Sequence, residues 1–172
     1  YEYADLHQLS TLWFNYADDM RKVKKSFVGT STRTRAKRQI SSQLAINTIN
    51  SFESKKKSLA KSIGNYYVDL EKCFNEMWRV LKPNKHLCLI LGDTEYLGIK
   101  VPNTAVSIEL LESIGFKVKE VIKRRLSSKI FTPFRDSSGR FTNAEHSNKR
   151  NIYQHEYIVV AEKQKGEASH LA

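Results

Sequence analysis

The fold of this chain is decided by one continuous stretch, Arg79-Val80-Leu81-Lys82-Pro83-Asn84-Lys85-His86-Leu87-Cys88-Leu89-Ile90-Leu91-Gly92-Asp93. An amphipathic helix runs into a Lys-Pro-Asn turn, and an apolar strand leaves the turn and stops at Gly-Asp. Proline and asparagine end the helix, because proline cannot continue it. The run from Leu87 to Leu91 is continuously apolar, which is typical of a central strand covered on both faces.

Helical patterns precede this stretch. Apolar residues from Leu6 to Val23 recur at three- and four-residue steps, which predicts one helix of about five turns. Gly29 marks the break after it. The segment from Arg33 to Ser54 is basic with few apolar positions, and we expect a loop that leads into a helix. A second strong helical stripe then runs from Leu59 to Leu81.

Strands and one helix follow the decisive stretch. Thr94 to Val101 is predicted as a loop, and Pro102 opens a helix that Gly115 closes. Phe116 to Leu126 alternates as a strand, and Ile152 to Lys163 forms the last strand. A long loop joins these two, so they are expected to form an antiparallel hairpin. Strands separated by helices imply an α/β sheet.

Positive charge is clustered along the chain. There are 29 Lys and Arg against 18 Asp and Glu, a net charge of +11. No acidic residue lies between Met20 and Glu53, and a second basic stretch from Lys123 to Arg150 contains only Asp136 and Glu145. Clusters of this kind suit phosphate backbones through counterion release. The alternative is a solvated basic surface.

Cysteine and histidine usage points away from disulfides and metals. Cys73 and Cys88 both fall in apolar patterns and are predicted to be buried, reduced side chains, so the chain is expected to be cytoplasmic. The five histidines show no ligand spacing, and we expect no structural metal. The chain begins at Tyr1 without an initiator Met, and we expect it to be a fragment, a processed product or half of a split protein.

Several motifs resemble those of one enzyme family. The Lys82-Pro83-Asn84 turn resembles the "LKPGG" turn of S-adenosylmethionine-dependent methyltransferases, with Asn84-Lys85 in place of Gly-Gly; asparagine tolerates the left-handed backbone of such a turn. More narrowly, the chain resembles the DNA amino-methyltransferases that modify N4 of cytosine or N6 of adenine. The segments that carry this resemblance, in chain order, are Tyr3-Ala4-Asp5-Leu6-His7 (after the family's "SPPY" or "DPPY" loop), Lys25-Ser26-Phe27-Val28-Gly29-Thr30 ("ESIGS"), Ile90-Leu91-Gly92-Asp93, Ile130-Phe131-Thr132-Pro133-Phe134-Arg135-Asp136 with Gly139-Arg140-Phe141 ("P-x-R-D…GRF"), and Glu156-Tyr157-Ile158-Val159-Val160 ("EYILV").

The resemblance implies a fold class and a division of the chain. Residues 1–163 correspond to the second half of a class I, Rossmann-like methyltransferase sheet, with its fifth, sixth and antiparallel seventh strands and the flanking helices. Within this partial domain, 1–58 form a helix and a basic arm, and 59–163 form the αβαββ half. Residues 164–172 are a polar tail.

Two loops of the family have no counterpart here. The sequence contains no Pro-Pro pair and no two glycines two residues apart, so it lacks both the catalytic loop and the Gly-rich cofactor loop. The resemblance therefore implies that the catalytic loop directly precedes Tyr1, that S-adenosylmethionine is bound mainly by a missing N-terminal half, and that this polypeptide alone has no activity. That half is expected as a covalent extension or as a separate chain.

The resemblance also suggests candidate site residues. The substrate pocket candidates are Tyr1, Tyr3, Asp5 and Asp93, the last because α/β sheets bind ligands at the carboxyl ends of their strands. The structural alternatives are packing at the helix start for the first three and loop capping for Asp93. The nucleic-acid-binding candidates are Arg33, Arg35, Lys37, Arg38, Arg124, Arg125, Lys129, Arg135 and Arg140; Arg135 and Asp136 are alternatively a structural ion pair.

The resemblance implies that the chain is part of a DNA base methyltransferase. Such an enzyme can belong to a restriction-modification system. Two alternatives stay open from the sequence. One is a lobe of an RNA base methyltransferase, and the other is a non-catalytic nucleic-acid-binding module that kept the fold.

Overall fold

The computed structural model describes residues 7–16, 19–30, 39–126, 134–136, 140–151 and 155–164 of the 172. The helices are α1 (Gln8–Trp13), α2 (Met20–Ser26), α3 (Gln43–Glu53), α4 (Lys57–Val80) and α5 (Asn103–Ile114). The strands are β1 (Lys85–Leu91), β2 (Thr94–Tyr96), β3 (Ile99–Val101), β4 (Phe116–Arg125), β5 (Phe134–Arg135), β6 (Arg150–Asn151) and β7 (His155–Lys163).

The main sheet has three strands in the order β1-β7-β4. β7 pairs antiparallel with both neighbours, so β1 and β4 run parallel to each other. Parallel strands need a crossover, and α5 supplies it between β1 and β4. The predicted α/β class, with an antiparallel last strand that pairs with the strand before it, is confirmed.

One face of this sheet carries the core. The side chains of Leu87, Leu89 and Leu91 point from β1 toward the helices, and Val159 and Ala161 of β7 are fully buried beside them. Helices α3, α4 and α5 pack against one another and complete this layer. The predicted long helix is thus confirmed as α4, and its aromatic residues Tyr67 and Phe74 lie in the core.

The opposite face of the sheet is open to solvent in the described part of the chain. Ile90, Ile158 and Ile122 lie in register across the three strands on this face. Ile90 is 61% exposed and Ile122 is 41% exposed. The prediction that β1 is covered on both faces is therefore wrong for this chain, because only the leucine positions meet helices. Cys88, also on the open face, is exposed rather than buried, and Cys73 is only half-buried.

The N-terminal helical pattern is divided. The single helix predicted over Leu6 to Val23 is two short helices, α1 and α2, because Asn15 adopts a positive φ of 54° between them. Asp19 then begins α2 by accepting a hydrogen bond from the Arg21 backbone N–H at 2.8 Å. Leu9 and Trp13 are each 84% exposed, so the apolar stripe of α1 is not part of the core.

The turn that opens β1 is held by the end of β7. Asn84 has a φ of 59°, which confirms the left-handed conformation expected there. Its N–H donates to the Lys163 carbonyl at 2.7 Å, and the Lys163 ammonium donates to the carbonyls of Trp78 and Leu81 at the C-terminal end of α4. A cation at this end of a helix interacts favourably with its carbonyl groups.

Two predicted loops contain short hairpins. Thr94 to Val101 forms the antiparallel pair β2–β3, with positive φ at both Leu97 and Gly98. This pair of dihedrals is typical of a two-residue hairpin turn. The long loop before β7 contains β5 paired with β6. In the same loop the Asp136 N–H donates to the Arg140 carbonyl, and the Asp136 carboxylate accepts from the Arg140 N–H.

Candidate functional site

The carboxyl end of β1 is fastened to the start of α5 by side chains. Asp93 Oδ1 accepts a hydrogen bond from the Thr104 backbone N–H at 2.9 Å. Asn103 donates to the Gly92 carbonyl at 3.0 Å and accepts from the Tyr67 hydroxyl at 3.1 Å. Asp93 therefore holds the start of α5, at the edge of the sheet where α/β folds bind ligands, and its role in a substrate pocket stays a prediction.

The segment from Phe27 to Thr30 is attached to α4 by two buried polar side chains. Gly29 N–H donates to Asp69 Oδ2 at 3.0 Å, and Asn65 Nδ2 donates to the Thr30 carbonyl at 3.1 Å. Asp69 is 5% exposed and Asn65 is 1% exposed. Buried polar groups that are hydrogen-bonded fix a segment more firmly than exposed ones, since breaking the bond leaves a desolvated group unpaired.

Gly29 is required where this segment meets α4. Its φ is +71°, and a Cβ at this position would lie 2.9 Å from Cδ2 of Tyr66. The backbone thus lies directly against the Tyr66 ring. Burial raises the pKa of Tyr66, and the nearby Cys73 and Tyr96 raise it further. The phenol is therefore neutral at physiological pH.

A cavity of about 480 Å³ opens between these elements. Val28 and Gly29 form one wall, the first half of α4 forms a second, and the β2–β3 hairpin with the start of α5 forms the third. The size lies within the range of small-molecule sites. Two segments that carry the sequence resemblance, Lys25–Thr30 and Ile90–Asp93, are about sixty residues apart in the chain, and they end at or beside this one cavity.

A basic helix leads into the cavity wall. Helix α2 contains Arg21, Lys22, Lys24 and Lys25 and no acidic residue. It ends two residues before Val28, which lines the cavity. This helix therefore adds positive charge to the segment that leads into the Val28–Gly29 wall, and its Arg21 and Lys24 line a separate pocket with Gln8, Leu12 and Asp19.

The arginine candidates in the second basic stretch have different surroundings. Arg124 forms an ion pair with Glu156 of the neighbouring strand, and Arg125 is exposed at the end of β4. The guanidinium of Arg135 lies 3.3 Å above the ring of Phe141, and Arg135 and Arg140 belong to the same small loop. The structure thus brings Arg135 and Arg140 together and holds the Arg135 guanidinium over an aromatic ring.

The other candidates lie outside the described residues. These are Tyr1, Tyr3 and Asp5 before α1, Arg33, Arg35, Lys37 and Arg38 of the basic arm, and Lys129.

Three residues of the cavity were not identified from the sequence. Tyr66 belongs to the helical stripe from Leu59 to Leu81 and contacts the core, and that pattern does not indicate that it also lines a cavity. Tyr96 was placed in a loop, and Ser62 has no distinctive pattern. The one available signal was Tyr96 itself, an aromatic residue three positions after the Gly-Asp end of the strand.

No metal cluster or membrane span is found among the described residues. No group of three or more His, Cys, Asp or Glu side chains there is arranged to hold a metal ion. Across the same residues, every helix is too short or too polar to cross a bilayer.

Comparison with known proteins gives structural neighbours only. No protein-family model matches the chain, and no curated protein matches it. Two crystal structures of a putative DNA modification methylase from Thermus thermophilus are similar to it. The selenomethionine derivative is 18% identical with a TM-score of 0.41, over 85% of this chain and 50% of that one. The complex with S-adenosyl-L-methionine is 19% identical with a TM-score of 0.40, over 85% and 53%. The chain thus spans about half the length of these neighbours.

Proposed function

We propose that this chain is the C-terminal half of a cytoplasmic S-adenosylmethionine-dependent DNA methyltransferase that acts on the exocyclic amine of cytosine or adenine. The observation that carries the proposal is the convergence at the cavity. The segment Lys25–Thr30 and the strand end at Gly92-Asp93 resemble separate motifs of these enzymes, and both reach the same edge of the sheet. Motifs that meet in space constitute a site, whereas isolated matches do not.

The distribution of charge supports a polyanionic substrate. The basic residues of α2 precede the Val28–Gly29 wall of the cavity in the chain, and Arg135 and Arg140 lie in the loop that resembles the family's late motif. In this proposal, the described basic residues and those of the basic arm bind phosphates and position the DNA, while other groups read the bases.

The residues present here do not form a cofactor site. A class I methyltransferase holds its cofactor at a Gly-rich turn after a strand, and no two glycines of this sequence have that spacing. The glycine at the end of β1, Gly92, faces open space, with nothing within 4 Å of where a Cβ would stand. We therefore assign cofactor binding mainly to the N-terminal half and derive no chemical step from the residues of this chain.

The open face of the sheet supports a requirement for that half. An apolar row on a three-stranded sheet, with Ile90 and Ile122 exposed and Ile158 half-buried between them, favours association and aggregation. We infer that the N-terminal half, covalent or as a separate chain, covers this face. Cooperative unfolding of the isolated chain as a soluble monomer would contradict this inference.

The function is tested with the complete protein, meaning this chain together with its N-terminal half. It is incubated with tritiated S-adenosylmethionine and either unmodified genomic DNA or total RNA, and the products are digested to nucleosides and identified by mass spectrometry. N4-methylcytosine or N6-methyladenine in DNA supports the proposal. Methylation of RNA alone favours the RNA enzyme, and binding without methylation favours the non-catalytic module.

A further inference from the structure

Helix α1 presents an apolar surface to solvent. Leu9 and Trp13 project almost fully into solvent, and no residue of this helix is buried. Leu9, Leu12 and Trp13 follow one another at steps of three and four residues, so they form one stripe along the helix. The exposed rings of Phe14 and Tyr16 continue the surface beyond the helix end. A contiguous exposed apolar patch of this kind marks a site of interaction.

Helix α2 lies beside this stripe and supplies positive charge. Leu12 of α1 lines a depression of about 370 Å³ together with Arg21 and Lys24 of α2. Leu12 also lines a second depression, of about 670 Å³, with other apolar residues of α1. The two depressions adjoin at Leu12, so apolar and cationic side chains belong to one concave surface. We call this the α1–α2 surface, and its members are Leu9, Leu12, Trp13, Phe14, Arg21 and Lys24.

The charge of the α1–α2 surface suits an acidic partner. Helix α2 has four basic residues, and Asp19 is the one acidic residue among those that line the two depressions. The Asp19 carboxylate already accepts a hydrogen bond from the backbone at the start of α2. Opposite charges across an interface steer association and fix the orientation of the partner. Carboxylates that flank an apolar stripe on the partner would therefore match Arg21 and Lys24, while the stripe covers Leu9 and Trp13.

Two other occupants fit this surface less well. A second copy of the chain, in a two-fold contact centred on α1, would bring its own basic helix toward α2, so like charges would face each other. A DNA duplex would pair with the cations, but its phosphates and sugars would leave Leu9 and Trp13 without apolar contact. An amphipathic protein helix with acidic flanks matches both parts of the surface, because such a helix lays its apolar face into a groove.

We propose that the α1–α2 surface binds an acidic amphipathic helix of a separate protein. The apolar stripe of α1 packs against the apolar face of that helix, and Arg21 and Lys24 pair with its carboxylates. Lys22 and Lys25 line neither depression, and they keep the role in phosphate binding that the proposed function gives to the basic residues. The inference does not rest on the proposed function, because neither cofactor nor nucleic acid takes part in this contact.

Fluorescence anisotropy with a designed peptide tests the proposal on the complete protein. The probe is a fluorescein-labelled helical peptide with leucines along one face and glutamates elsewhere. Its control has the same leucines, with lysine in place of every glutamate. The acidic peptide should bind more tightly than the lysine peptide. Higher salt should weaken its binding, because exposed ion pairs are screened.

Substitutions on the α1–α2 surface locate the binding. Trp13→Ala should weaken the affinity for the acidic peptide by about 5- to 30-fold, the loss typical of an aromatic anchor truncated to alanine. Trp13→Phe should keep most of the affinity, since it retains a ring. Arg21→Glu should weaken binding more than Lys123→Glu, which makes the same change in net charge at an exposed position of β4. Val80→Ala is the apolar control, because Val80 is 65% exposed at the end of α4 and lies outside the surface.

Several results would overturn the proposal. Equal binding of the acidic and lysine peptides would mean that charge does not select the partner, and equal effects of the surface variants and their controls would place the binding elsewhere. Absence of binding to the complete protein would mean that α1 is covered within it. A dimer in sedimentation velocity that Trp13→Ala dissociates would assign the surface to a second copy. Duplex DNA whose own affinity falls as much as that of the peptide in Trp13→Ala would assign it to nucleic acid.

Discussion

Removing the Asn103 side chain should lower the free energy of unfolding by more than is usual for a half-buried asparagine. Asn103 joins Tyr67 of α4 to Gly92 at the end of β1. The Tyr67 side chain is fully buried, so Asn103→Ala leaves its hydroxyl without this partner in the core. Tyr67→Phe removes the hydroxyl itself, and the half-buried Asn103 can then bind water instead.

The magnitudes follow from these environments. An orphaned buried hydroxyl costs about 1–3 kcal/mol, and the lost bond to Gly92 adds about 0.5–1.5 kcal/mol, so Asn103→Ala should cost about 2–4 kcal/mol. Tyr67→Phe should cost about 0.5–1.5 kcal/mol. In the double variant no hydroxyl is orphaned, and only the bond to Gly92 is lost. The double variant should therefore be more stable than the sum of the single effects implies, with a coupling of about 1.5–4.5 kcal/mol.

Equilibrium urea unfolding of the complete protein, followed by circular dichroism, measures these four free energies. Asn75→Ala is the control, because Asn75 is an exposed asparagine whose side chain donates to the Glu71 carbonyl one turn earlier in α4. This substitution should change the free energy of unfolding by no more than about 0.5 kcal/mol. Additive single effects, within about 0.5 kcal/mol, would refute the reasoning. They would mean that Tyr67 and Asn103 do not depend on each other.

Three further predictions concern the turn, the end of α4 and the tyrosines. Asn84→Gly should leave the free energy of unfolding unchanged or raise it, whereas Asn84→Ala should lower it by about 1 kcal/mol, because only glycine adopts the positive φ without cost; a thermal melt of the two variants distinguishes them. Lys163→Met should lower the free energy of unfolding by about 1–2 kcal/mol, since it removes the ammonium that caps α4 but keeps the chain over Trp78; a loss no larger than that of the exposed Lys117→Met would contradict this. Burial raises the pKa of Tyr66 and of Tyr67, so the native state holds protons that the unfolded state releases above pH ~10. The free energy of unfolding should therefore fall as the pH rises through and beyond that value. Urea unfolding at several pH values should show a smaller decline for Tyr67→Phe than for the wild type.

The elements that follow from local pattern were predictable. The stripe of α4, the turn at Pro83-Asn84 and the helix that ends at Gly115 each depend on residues close together in the chain. Gly115 indeed has a φ of +113°, as a left-handed helix end requires. The pairing of β7 with β4 followed from the absence of a helix between them.

The features that were missed depend on distant partners. The exposure of Cys88 depends on which face of β1 meets helices, and an unbroken apolar run does not reveal this. The β2–β3 hairpin turns at Leu97-Gly98, without the Asn-Gly or Asp-Gly signal that makes such turns recognisable. The cavity is formed by three segments that only the tertiary fold brings together, so Tyr66 and Tyr96 could not be paired from the sequence.

The strand order also constrains when the sheet forms during synthesis on the ribosome. β1 and β4 leave the ribosome well before β7. In the sheet they do not pair with each other, because β7 lies between them and pairs with both. Until the last strand is translated, both therefore lack their backbone partner. Non-local pairing of this kind raises contact order and slows folding. A nascent chain that stalls before His155 would present β1 and β4 without β7 to the chaperone machinery, and stop codons just upstream of the codons for β7 should be as damaging as early ones.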